Sequence, residues 1–249
     1  MNLLRKLSVT YTLTDDNLDS APPLEAARSL HRSAVEDLLR RHYSRVCRIA
    51  LGLCGRESCG RAAVRTVMQQ SVRMLPNWQR TEQADNWFLH HTVLAARQQS
   101  SRVISEERDC LAQRAESPAT EYLAFLRVLR HLPQQQREAV VLSRGEKLDI
   151  RQIAIAMDCS TTAVANHLIA ANKTLSSLTG DSFAPQAETF SRVYACLTPP
   201  EPLIVGDIGA VCRRLMRRRL LKMAVRLSGV AVLAAMAWMI WRISRIIVY

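Results

Sequence analysis

From Leu227 to Trp241 the chain carries fifteen consecutive residues without a charge. Away from water, the backbone N–H and C=O groups of such a run must pair with one another, and an α-helix does this within one segment. At 1.5 Å per residue the run reaches roughly 22 Å, against about 30 Å for the hydrocarbon core of a bilayer. Arg226 and Arg242 flank it and can turn their charged heads outward. Lys222 to Arg245 encloses twenty-two residues, close to a full thickness. Trp238 and Trp241 stand near one end, as interfacial anchors do. Residues 220–241 therefore read as a transmembrane helix and 242–249 as a short tail. A helix lying on the bilayer surface and a buried core helix are the competing readings.

Charge gives the span a direction. Arg213, Arg214, Arg217, Arg218, Arg219 and Lys222 precede it directly, and the positive-inside rule places such a cluster in the cytoplasm. The expected topology is single-pass, on the cytoplasmic face of the inner membrane, with the N-terminus inside. Residues 213–249 hold nine of the 34 Lys and Arg and no acid. The other 25 bases nearly balance the 22 acids, so most of the net charge of +12 belongs to the tail. The pI near 10.0 is thus no general nucleic-acid footprint.

Only 5% of residues are aromatic and eight are glycine, which favours an all-α protein over a sheet-rich one. The seven cysteines form no CxxC pair. They read as small apolar core residues in a reducing compartment, with no metal site expected. Residues 1–32 lack the apolar run of a signal peptide and read as a flexible leader. From residue 33 apolar residues recur at helical spacing: Val35, Leu38, Leu39, Val46, Ile49 and Leu53, with Ser33 and Glu36 as a capping box. Further helices are expected over 61–75, ended by Pro76, and over 84–99. Residues 33–99 form a first small helical domain, 100–119 a polar linker, and 120–179 a second domain. Residues 180–219, rich in proline and then in base, read as a tether containing one short helix.

Within the second domain, Asp149 is a good N-cap for a helix over 150–157. Asp158, Cys159 and Ser160 make a tight turn, and a longer helix follows with Val164, Leu168, Ala171 and Leu175 inward. A short helix, a turn and a second helix with an open N-terminus suit the DNA major groove. Thr161, Thr162, Ala165, Asn166 and His167 lie where side chains of such a helix reach bases, and Lys173 can reach phosphate. An ordinary helical hairpin is the bland alternative.

The runs LPQQQREAVVL (132–142), LDIRQIAIAMDCS (148–160) and AVANHL (163–168) resemble the C-terminal domain of extracytoplasmic-function sigma factors. The runs EDLLRRHYSRV (36–46) and NWFLHHTVL (86–94) resemble that family's N-terminal domain. The resemblance covers roughly 33–179. It implies two helical domains, with core RNA polymerase and promoter DNA as partners and an anti-sigma-type inhibitor as a further one. It implies that the second domain reads the upstream promoter element. Trp87, His90 and His91 then take positions used against the melted downstream element, although Trp87 also suits a core. Arg61 and Arg65 fall on the polymerase-docking helix, where the family usually carries acids. Like charges facing each other would weaken that contact. No phosphate-binding loop, nucleophile elbow or paired-carboxylate motif is present in the sequence, so neither enzymatic activity nor a cofactor is expected. The readings that remain are a membrane-tethered sigma-like factor, a membrane-anchored adaptor that lost promoter activity, and a DNA-binding repressor.

Overall fold

A computed structural model describes residues 24, 27–29, 31–100, 108–115, 119–179 and 183–247, and among these the protein is all-α. Most of the expected leader, and residues 101–107 and 116–118 of the expected linker, lie outside the described residues. Leu24 and Ala27, at the leader's end, are buried in the first core.

Helix α1 spans Arg32–Cys54 and starts at His31, without a side-chain cap. Ser33 thus lies inside the first turn, and Glu36 pairs with Arg32 at 2.7 Å instead of closing a capping box. The expected stripe is buried, and the helix stops at Gly55, whose φ of 70° a residue with a Cβ adopts poorly. Helix α2 spans Glu57–Met74, four residues longer at its start than the periodicity predicts. A 3₁₀ turn at Leu75–Asn77 carries Pro76. Helix α3 spans Thr81–Ser100 and packs on both. The remainder of the linker contains a short helix, α4 (Cys110–Arg114), with Cys110 and Leu111 buried.

Helices α5 (Thr120–His131) and α6 (Gln134–Val140) lead through a π-helical turn at Val141–Gly145 to α7 (Ile150–Met157) and α8 (Thr161–Thr179). The expectation of a tether over 180–219 is corrected here. Helix α9 spans Phe183–Ala195 and α10 spans Glu201–Ile247. Their prolines, Pro185 and Pro202, sit in first turns, where the missing N–H has no intrahelical partner to lose. Proline here starts helices. Tyr194 of α9 is fully buried between Gly52 of α1 and Gly145 of the π turn. A Cβ on Gly52 would come within 2.5 Å of its ring, and one on Gly145 within 2.8 Å, so both glycines are required by the close approach.

The two cores do not follow the two expected domains. One core joins α1, α2, α3 and the start of α10. The other holds the second domain together with Ile49, Leu51, Leu53, Leu89, Val93 and Ala96 of the first. Beyond Leu215, α10 leaves the body, with Leu220, Leu227, Leu233 and Trp238 exposed. Among the described residues no single helix is long and apolar enough to cross a membrane, the apolar stretch of α10 being Met223–Met239.

His42, buried in α1, stacks on Phe88 with ring centroids 4.3 Å apart. Burial, helped by Arg41 and Arg45, pushes its pKa down to about 4, and Asp85 at 3.6 Å does not offset this. Unfolding frees the ring to protonate at its ordinary value near 6.5. Stability is therefore complete above that pH and falls as pH drops from about 6.5 towards 4, by up to about 3 kcal/mol. Urea melts at pH 7 and pH 5 should show about 2 kcal/mol of this loss, and His42→Phe should remove most of it; an unchanged pH slope in the variant would assign the loss to other groups.

Candidate nucleic-acid interface

The helix-turn-helix is built by its caps. Asp149 accepts from the Gln152 backbone N–H at 2.8 Å, and the Gln152 side chain accepts from the Asp149 N–H at 3.3 Å, a complete capping box. Asp158 takes the left-handed conformation at φ 57°, which turns the chain. Ser160 Oγ then accepts from the Ala163 N–H at 3.1 Å and opens α8. Helix α7 and the Thr161–Leu178 part of α8 differ in direction by 99°, within the range of this motif.

On α8, Val164, Ala171 and Leu175 are buried. Thr161, Thr162, Asn166 and Lys173 are exposed, whereas Ala165 and His167 are half-buried. Thr162, Asn166 and Lys173 share an outer face, while Thr161 stands at the helix start, to one side of it. Neutral Ile169 is also exposed, so Lys173 is the only cation on this helix.

The proposed downstream contacts sit on α3 in a different setting. Trp87 is half-buried, with its indole Nε1 enclosed and unpartnered. His91 stacks on it at 4.1 Å, and Trp78 and Phe88 lie 5.3 Å away. One face of the indole is thus occupied, and a base could stack there only by displacing His91. Burial, and then His90, lowers the His91 pKa. That ring is accordingly neutral at pH 7 and attracts phosphate weakly. Arg61 pairs with Glu57 one turn earlier on α2, while Arg65 lies exposed beside α10. Arg213 and Arg217 project from the exposed side of α10 and Arg214 borders its seam with α2; the side chains of Arg218, Arg219 and Lys222 lie outside the description.

What sequence reasoning missed is the contact between α3 and the helix-turn-helix unit. Helix α3 packs directly on α7. Arg97 of α3 forms a two-pronged pair with Glu138 of α6, at 2.9 and 2.7 Å, and also donates to the Met157 carbonyl at 3.2 Å. Glu146 is gripped by Arg48 at 2.8 Å and Arg45 at 3.5 Å, both from α1. Arg130 of α5 pairs with Asp109 at 2.6 Å and donates to the Gly52 carbonyl at 2.6 Å. No local pattern marks these residues, since each partner lies far away in sequence.

Removing one member of a buried ion pair leaves the other charge uncompensated, at a cost of about 3 kcal/mol. Arg97→Ala should lose about that much in urea unfolding, and adding Glu138→Gln should recover part of it. A single-variant loss below about 1 kcal/mol would mean that the pair contributes little beyond a surface salt bridge.

Among the described residues no group of His, Cys, Asp and Glu is arranged to hold a metal ion. No curated protein matches the chain. Residues 122–175, running from α5 into α8, match the family model described as Sigma-70, region 4. This segment, which contains the capped helix-turn-helix, is similar to sigma-70 region 4, and that similarity supports a sigma-factor-like, DNA-binding role.

Proposed function

We propose that the protein is a membrane-tethered, sigma-factor-like initiation protein that binds core RNA polymerase and directs it to specific promoters. The observation that carries this reading is the capped helix-turn-helix within a segment matching sigma-70 region 4. Three helices ahead of it, α1 to α3, supply the first domain that such a factor needs. Helix α8 would read the upstream element, with Asn166 suited to adenine. Its single cation means that binding by this domain alone is weak and that polymerase supplies most of the affinity. The factor would need no catalytic residue of its own, because the polymerase does the chemistry.

With core polymerase from its host, the full chain in detergent should give promoter-selective transcripts. Asn166→Ala should lower that selective yield about tenfold, in line with 1–3 kcal/mol for a two-pronged base contact. A second reading, a membrane-anchored adaptor, is favoured by Arg61 and Arg65 on the docking helix and by the packing of α3 on α7. Failure of the folded chain to bind polymerase would move the assignment to that adaptor. Sequence-specific DNA binding without polymerase would make it a repressor.

For the anchor, the exposed apolar residues from Leu220 to Met239 support membrane contact. We place the protein on the cytoplasmic face of the inner membrane, with α10 crossing once and its arginines extending the apolar stretch. After alkaline carbonate extraction of membranes the chain should stay in the pellet; release into the supernatant would identify a helix lying on the surface instead.

A further inference from the structure

The first four turns of α10 lie in the groove between α1 and α2. Ile204, Ile208, Val211 and Cys212 form one stripe at i, i+4, i+7 and i+8, and all four are buried in the core made by those helices. Tyr43 of α1 donates to Asp207 at 2.5 Å, and Arg40 pairs with Glu201 at 3.3 Å. Arg65 of α2 lines the same seam as Asp207 and Arg214.

We infer that residues 201–215 are an exchangeable occupant of a helix-docking groove, held there by the chain's own C-terminal helix. Three features set this part of the core apart from the rest of it. The segment buries only one narrow stripe, while Leu203 and Val205 beside it stay exposed. Gly206 and Gly209 fall in its middle, and a Cβ on Gly206 would touch nothing within 4 Å. No close approach requires that glycine, so its effect is to weaken the helix. The seam also stays open, with crevices between Met68, Gln69, Val72, Val211, Arg214 and Leu215. Helix α9 makes the contrast, with Phe190 and Tyr194 completely enclosed.

The groove specifies what replaces the segment. The occupant is an amphipathic helix with apolar residues at i, i+4 and i+7 and a carboxylate one residue before the second of them, to accept from Tyr43. On the function proposed above, the surface so covered is the one that docks on polymerase. The segment is then a cis inhibitor, and this step rests on that reading.

The full chain in detergent is compared with its Ile208→Glu/Val211→Glu variant, whose own segment is expelled by two buried charges. The probe is a fluorescent peptide with the wild-type sequence of residues 200–217, read by anisotropy, with core polymerase binding measured in parallel. The peptide should bind the variant at least tenfold more tightly than the wild type, and the variant should gain polymerase binding. If the peptide binds but polymerase binding does not rise, the groove stands and the polymerase reading falls. If a variant with an intact cooperative melt binds the peptide no better than the wild type, the inference is overturned. Should the double variant not fold, Asp207→Asn replaces it, with hydrogen exchange as the readout. Amides of 204–212 should then exchange at least tenfold faster while those of α3 stay unchanged, and exchange of both only together overturns the inference.

Discussion

The arrangement of this protein depends on carboxylates buried between its two helical units. Glu138 and Glu146 have side chains only 3% and 5% exposed, so each needs a cation within reach. The cations come from the other unit: Arg97 for Glu138, Arg45 and Arg48 for Glu146. Separating the units would leave these carboxylates without partners unless water reached them. The same separation would expose Leu89, Val93 and Ala96 of α3, which now sit in the second core. Polar and apolar contributions therefore act together, and the two units behave as one body in this state.

That body bears on DNA reading. Helix α8, the second helix of the helix-turn-helix, keeps an open face, since Thr162 and Asn166 are exposed. Helix α3 is bounded on one side by α1 and α2 and on another by α7, while Trp87 and His91 cover each other. A factor that used both helices at two separate promoter elements would have to open the Arg97–Glu138 contact first. In this arrangement the outer face of α3 is more covered than that of α8.

Local chemistry decided what was legible in the sequence. The helix-turn-helix was visible because Asp149, Asp158 and Ser160 fix its ends within a few residues, and their signals are short-range. The apolar stripe of α1 was visible for the same reason, although Glu36 chose Arg32 over Ser33. The packed helices of the supposed tether were hidden by prolines read as breakers, when Pro185 and Pro202 occupy first turns. The clamp between the units left no trace at all. Arg97 and Glu138 are 41 residues apart, and an exposed-looking pattern of charge on two helices does not say that the helices meet.

Helix α10 joins these observations to the membrane reading. It is continuous from Glu201 to Ile247, 47 residues, or roughly 70 Å at 1.5 Å per residue. The buried stripe ends at Cys212, and Arg213 and Arg214 begin the basic cluster at the next residues. If that cluster meets lipid headgroups, no slack tether remains, and the folded body stands directly against the bilayer. The groove between α1 and α2 and the membrane stretch then share one helix. A rotation or axial shift of that helix in the membrane would reach Val211 and Cys212 first, before the glycines at 206 and 209. Of the described contacts of the first domain, those with α10 would then lie closest to the bilayer along the helix.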